Sequence, residues 1–395
     1  MKVTSSNISR RQFLKTAGIT VAGTTALSTV PGVWGVRSTW ARIPTVRFAY
    51  ILSDHHAPLM VAAKKWEFFQ EKYNSYLKPV AEGRLYDFYY EGGKLARVKL
   101  ISTKKGPDVE KLIAQGSVDA AISGTQAILM SVDKGVNTHI VSPLQTAGNV
   151  FVVNRELEIS RWADFVRYVK GSGRQFKIGM PGPHTVAAII FRSALEYEGI
   201  AYSEDISNKE ADVLFINMKG HGNLVAALVN KITDGIIGAQ PFPSVTIDRG
   251  VGRFIFDLED VPPKSRWHGH ACCSLEATEK FTTENRELAG KLMELMALGV
   301  KTTSEDKEVT AHACSEWLGV PVSVERIAME SLEYTTVPDE SWKRSVHTYT
   351  EVMDAMGILS GKLKGLRGSA IDGKAFEFGL MEQALHNLKG KGIVV

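Results

Sequence analysis

Two stretches of this 395-residue chain repeat one pattern: "LIAQGSVDAAISGTQ" (Leu112–Gln126) and "ALVNKITDGIIGAQP" (Ala227–Pro241). Each runs from the end of a helix through a turn to an aspartate, Asp119 or Asp234. An apolar run of strand character and a loop of small residues follow. A second echo pairs "RFAYILSDHHAPLMVA" (Arg47–Ala62) with "FKIGMPGPHTVAAIIF" (Phe176–Phe191). Each of these reads as a strand, a loop carrying His and Pro, and an apolar helix. Strands alternating with helices predict doubly wound, parallel α/β sheets. Their repetition predicts two similar lobes, in keeping with a length beyond what one hydrophobic core supports. Ligands of such sheets bind beyond the carboxyl ends of the strands, so all four echoed loops are expected to face one cleft.

Working outward, residues 44–148 are expected to form the first part of lobe I and residues 149–248 lobe II. Residues 249–395 are expected to return to lobe I and to end in helices of amphipathic spacing, such as "ENRELAGKLMELMALGVKTTSE". Ala57–Tyr73 reads as one helix, and Gly83–Gly93 as a loop or an edge hairpin.

Composition is that of a globular protein, with 44% hydrophobic and 23% charged residues. The formal charge of +4 belongs mostly to the leader: residues 1–41 hold Lys2, Arg10, Arg11, Lys15 and Arg37 and no acid. The rest holds 42 basic and 43 acidic side chains without a long basic run, which leaves a nucleic-acid partner unsupported. "SRRQFLKTAG" (Ser9–Gly18), with the mildly apolar run after it, resembles a twin-arginine export signal, so residues 1–41 are expected to engage the twin-arginine translocase. That places the protein in the periplasm, or on the membrane if the leader is retained as an anchor. Cys272, Cys273 and Cys314 could supply one disulfide, for example Cys273 with Cys314, or remain buried thiols, the reading favoured here. No CxxC zinc spacing is present.

The mature chain resembles the periplasmic substrate-binding proteins of ABC importers, in the nitrate, sulfonate and taurine branch. That branch also holds bicarbonate binders and thiamine-precursor proteins. The residues that carry the resemblance are "SDHHAPLMVAAKKWEFF", "LIAQGSVDAAISGTQAILMSVDKG", "KIGMPGPHTVAAIIFRSALEYEGI" and "LVAALVNKITDGIIGAQPFPSVTIDRGVGR". The resemblance implies a periplasmic binding protein fold of type II, two doubly wound α/β lobes joined by a two-crossing hinge, with a helical C-terminal tail. It implies a monomeric extracytoplasmic receptor that closes on a small ligand and delivers it to an ABC permease with a cytoplasmic ATPase. No cofactor is expected.

The candidate ligand-binding residues follow from the loops. Asp54, His55 and His56 lie where the first strand gives way to a helix, whose free N–H groups suit an anion. Ser53 or Asp54 could instead simply cap that helix. Ser123, Thr125 and Gln126 in one echoed loop, and Gly182, His184 and Thr185 in its counterpart, combine close backbone approach with hydroxyl, amide and imidazole groups. His221 precedes another helix. Gln240 and Phe242 stand where many relatives have a Glu-Pro-Trp turn, a departure that favours a neutral or anionic ligand over a cation. His268 and His270 in "RWHGHACCS" could join His55, His56 and His184 as metal ligands if they lay on one strand face, but no carboxylate completes a triad. No GxSxG, P-loop or HExxH pattern is present, so an enzyme is not expected. The expected ligand is a sulfonate, nitrate or carboxylate. The alternatives are a thiamine-precursor-like heteroaromatic, stacked by Phe242, Trp267 and the Tyr86–Tyr90 aromatics, and a metal-dependent protein or enzyme centred on the histidines.

Overall fold

A computed structural model describes residues 43–395. The expected twin-arginine leader lies outside the described residues. The strands are β1 (Thr45–Ile51), β2 (Ser75–Ala81), β3 (Leu85–Tyr90), β4 (Gly93–Thr103), β5 (Ala120–Gly124), β6 (Thr138–Ala147) and β7 (Asn149–Asn154), then β8 (Phe176–Met180), β9 (Tyr202–Ser203), β10 (Val213–Asn217), β11 (Gly235–Ala239), β12 (Gly252–Asp257), β13 (Ala271–Thr278) and β14 (Leu332–Tyr334). They form two sheets, ordered β14-β6-β13-β5-β1-β4-β3-β2 and β12-β7-β11-β8-β10-β9. The apolar run of β1 is buried on both faces. Val46, Phe48 and Tyr50 join one core cluster, and Ala49 and Ile51 join another under the helix Gly106–Ala114. Helices cover both sides of a central parallel strand, which is why such a strand is apolar throughout rather than alternating.

The sequence echo is an echo of topology. In the first sheet β5, β1 and β4 run parallel, with β13 antiparallel beside β5. In the second, β11, β8 and β10 run parallel, with β7 antiparallel beside β11. The paired aspartates do the same work in each. Asp119, just before β5, accepts the backbone N–H of Arg47 at 2.8 Å and two bonds from its guanidinium at 3.0 and 2.5 Å. Asp234, just before β11, accepts the N–H of Lys177 at 2.8 Å and a fork of two 2.9 Å bonds from Arg174. Each carboxylate ties the amino end of one parallel strand to its neighbour, a charge-assisted clamp of good geometry.

The chain passes from the first sheet to the second at Gly148, the one residue between β6 and β7, and returns between Asp257 and Ala271. The return comes later than the expected residue 249, because Gly252–Asp257 pairs antiparallel with β7 as the edge of the second sheet. Ala57–Tyr73 is two helices, Ala57–Lys64 and Trp66–Tyr73, broken where Lys65 leaves helical geometry at φ −103°, ψ 35°. Gly83–Gly93 belongs to a meander, β2-β3-β4, whose turns hold Gly83 and Gly92 at φ 71° and 82°. The long helix Arg286–Glu305 lies on Ala57–Lys64. Gly299 permits the contact, since a Cβ there would come 2.6 Å from the carbonyl oxygen of Pro58. Among the described residues no helix is long and apolar enough to cross a membrane.

Candidate functional site

The carboxyl ends of the parallel strands in both sheets open on one small internal cavity of about 30 Å³, room for about two waters. Three helices begin at its wall: Gly106–Ala114, Thr125–Asp133 and Val186–Tyr197. Gly106, Gly124, Gln126, Thr185, Val186 and Ala187 all line it. None of the three starts is capped by a side chain. Thr185 stands at the cap position of the third, but its hydroxyl donates to the Gly182 carbonyl at 2.9 Å instead. Uncapped first turns leave backbone N–H groups without partners, at the positive end of each helix dipole.

The opposite wall is built from imidazoles and thiols. Asp54–His56 form one tight turn leading into Ala57–Lys64. His56 Nδ1 accepts the N–H of Ile51 at 3.0 Å, so the ring proton sits on Nε2, which is buried and has no partner. His55 Nε2 lies 2.9 Å from the Gly148 carbonyl, which can only accept. The ring therefore donates there and turns Nδ1 toward Cys272 Sγ at 3.2 Å and Cys273 Sγ at 3.8 Å. Asn149 Nδ2 donates to Cys272 Sγ at 3.1 Å. His221 Nδ1 accepts the N–H of Ala239 at 3.4 Å, and its ring stacks on Phe242 at 5.8 Å.

Burial, then the neighbouring His55 charge, holds His56 well below the usual imidazole range. The same two causes push His221 down to about 3, so both rings are neutral. Burial opposes ionisation at Cys272, but its hydrogen bond with Cys273, the charge of His55 and a hydrogen bond with His270 outweigh it and hold the thiol well below its ordinary value. Burial likewise opposes charge on His55, and Cys272 with the Gly148 carbonyl raises it. The pair is poised to share a proton between sulfur and nitrogen inside the wall.

Of the residues expected at the site, His55, His56, Gln126, Thr185 and His221 line the cavity. Gln126 also reaches across it, donating from Nε2 to the His184 carbonyl at 3.0 Å. His184 is partly buried, with Nδ1 unpartnered, and Gly182 lies beneath Thr185 as acceptor of its hydroxyl. Ser123 donates to Glu110 at 2.7 Å and Thr125 bonds Ser274 at 2.7 Å, so both hydroxyls serve the first sheet's scaffold. Gln240 binds Ser244 by its side chain, and Asp54 donates its N–H to the Gln240 carbonyl at 3.1 Å. Phe242 lines a neighbouring cleft of about 270 Å³ together with Trp317 and His221.

Three expectations need correction. The Asp54 carboxylate turns away from the cavity toward Glu325, and burial followed by the charge of Glu325 pushes it well above the usual range. His268 has a side chain 75% exposed and pairs with Glu259 at 3.4 Å, while His270 is buried against Asn149 and the Trp267 carbonyl. The two precede β13 rather than lying on it, so the His-x-His face does not form. Trp267 and Tyr86 are fully buried in the core and offer no stacking surface.

Cys272 and Cys273 are the cavity residues that sequence reasoning missed. Adjacent strand residues point to opposite faces, which argues against two neighbouring thiols at one site. The β13–β6 register shifts on both sides of Cys273, and both thiols line the cavity. Cys314 is buried elsewhere, and all three cysteines are free.

Two sheets of like topology with a cavity at their facing strand ends define the periplasmic binding protein fold, and solved structures agree. The periplasmic nitrate-binding protein NrtA from Synechocystis PCC 6803 matches with a TM-score of 0.67 at 16% identity, over 88% of this chain and 89% of that one. The zinc-bound ligand-binding component of an ABC-type import system from Staphylococcus aureus matches at 0.65 and 15%, over 86% and 99%. The alkanesulfonate-binding protein SsuA from Xanthomonas axonopodis pv. citri, bound to MOPS, matches at 0.61 and 12%, over 85% and 100%. At these identities the likeness is one of fold. The chain belongs to the NMT1-like family, whose model matches residues 41–318. An uncharacterized protein of Methanocaldococcus jannaschii is 34% identical over 112 residues, 28% of this chain and 77% of that protein.

Proposed function

We propose that this chain is the extracytoplasmic solute receptor of an ABC importer and that it encloses a small oxyanion between two lobes. The observation that carries the reading is the convergence of three uncapped helix starts with the unpartnered Nε2 of His56 on one buried cavity. All are donors, and donors converging without a partner suit an anion. The volume of about 30 Å³ favours nitrate, hydrogencarbonate or formate over an organosulfonate. The heteroaromatic alternative draws no support from the buried positions of Trp267 and Tyr86.

In this reading lobe I is built on the first sheet and lobe II on the second. They hinge at Gly148 and at the 258–270 crossing, and close because the ligand touches both. The twin-arginine leader delivers a monomer to the periplasm, where the closed form docks on a permease driven by a cytoplasmic ATPase.

Thermal melting against nitrate, hydrogencarbonate, formate, small sulfonates and pyrimidines tests the reading. A ligand at about 100 times its dissociation constant adds roughly 2.7 kcal/mol of stability. One small oxyanion should raise the melting temperature, and His56→Gln should remove most of that rise. A panel in which only organosulfonates or pyrimidines respond would overturn the small-oxyanion assignment.

A further inference from the structure

We propose that His55, Cys272 and Cys273 form a binding site for Zn(II) in the wall of the oxyanion cavity. His55 Nδ1 and the two Sγ atoms make a triangle with sides of 3.2, 3.8 and 3.8 Å. Its corners all lie about 2.1 Å from its centre, close to the roughly 2.0–2.1 Å of a Zn–N bond and the roughly 2.3 Å of a Zn–S bond. The three atoms form the one such group of potential ligand atoms found among the described residues.

The surroundings prepare these atoms for a metal. A ligating imidazole needs its other nitrogen bonded to an acceptor, and His55 Nε2 has the Gly148 carbonyl at 2.9 Å. A ligating thiolate is steadied by donors, and Asn149 Nδ2 supplies one to Cys272 at 3.1 Å. Two sulfurs and an imidazole are soft to borderline ligands that prefer Zn(II) or Cu(I) over Mg(II) or Ca(II). The ring of His56, fully buried with Nε2 unpartnered, lines the same cavity and is a second observation in favour of a guest there.

Three protein ligands leave a fourth position, open toward the cavity. A water or the oxyanion completes the tetrahedron, since His56 and His221 each use Nδ1 to accept a backbone N–H and keep the ring proton on Nε2. A cation would then add its charge to that of the three helix starts. Metal binding displaces protons from the ligating groups, so uptake is accompanied by acidification. The metal site stands on the His-Cys-Cys geometry and does not depend on the receptor reading.

The test is equilibrium dialysis of the purified full chain, kept reduced, against Zn(II) chloride, with metal counted by mass spectrometry. Co(II) is added in parallel to look for the near-ultraviolet band of a thiolate–cobalt bond, which needs no variant. One Zn(II) per chain and a thiolate–Co(II) band are expected. Cys273→Ser and His55→Gln should each weaken Zn(II) binding about 100-fold or more. Cys314→Ser, outside the cluster, should leave it unchanged. Circular dichroism of each variant separates loss of a ligand from loss of fold. Less than a tenth of an equivalent of Zn(II) on the reduced wild-type chain, or no thiolate–Co(II) band, overturns the inference. So does binding that survives in folded Cys273→Ser. A nitrate melting shift is read separately: its absence overturns the oxyanion assignment and leaves the metal result standing.

Discussion

Gly148 has three jobs in one residue. It is the whole connection between β6 and β7, it sits at φ 72°, and its carbonyl sets the tautomer of His55. A Cβ there would collide with Leu332 and come 3.0 Å from His55 Nε2. Gly148→Ala therefore combines left-handed strain with overpacking. We expect it to destabilise the chain by about 2–3 kcal/mol, read as a lower denaturant midpoint, and to reduce ligand binding as His55 is displaced. Full stability in the variant would mean that the crossing is more plastic than its geometry implies. The neighbouring Asn149 extends the same design, bonding Cys272 and His270 from the first residue of β7.

At the scale of elements, the first turn after β1 is held from two sides. His55 and His56 face the cavity, whereas Asp54 packs against Glu325 on the helix Val322–Ala328, and neither carboxyl has another side-chain partner. Burial pushes Glu325 up to about 7, and Asp54 is raised well above its usual range by burial and then by Glu325. Both neutral forms are favoured in the folded state, so the folded chain binds more protons than the unfolded one. The resulting stability is fully present below about pH 4.5 and is lost as pH rises through about 7. Glu325→Gln keeps the shape and removes the Glu325 part of this titration, leaving that of Asp54, which burial raises first. The variant should lose less stability than the parent between pH 5 and 8, by at most about 3 kcal/mol, measured by urea unfolding at each pH. Asp257, also raised to about 7 by burial first, should leave a residual slope in the variant. Identical slopes in variant and parent would sink the argument.

For the whole molecule, several polar bonds join the two sheets near the cavity, that of Asn149 to Cys272 among them. Gln126 donates to the His184 carbonyl, and Asp54 donates to the Gln240 carbonyl. The first is a side-chain bond that a substitution can remove. Gln126→Ala should raise the radius of gyration of the ligand-free chain in small-angle scattering. It should also weaken oxyanion binding about five- to tenfold, the worth of one hydrogen bond. Unchanged size and affinity together would show that the bond contributes nothing to closure. A shift of size alone would assign it to the open–closed balance of the free protein.

The sequence by itself determined the α/β class, the internal echo and the loops that line the cavity. All of these are local: apolar period, turn residues, and an aspartate placed at the start of a strand. That His55, His56, Gln126, Thr185 and His221 line a cavity was legible because residues at the carboxyl ends of parallel strands face a crevice. Only the tertiary structure decided which neighbour each side chain meets. Asp54 and His56 are two residues apart, yet one faces Glu325 and the other the cavity, because a single tight turn rotates them to different sides. Cys272 and Cys273 come to the same cavity through a register shift that no alternation rule predicts. The late return at Asp257 follows from β12 finding its partner in β7 rather than from any local signal. Pattern fixes where a strand ends; pairing across 100 or more residues, as between His55 and Cys272, fixes what its end can bind.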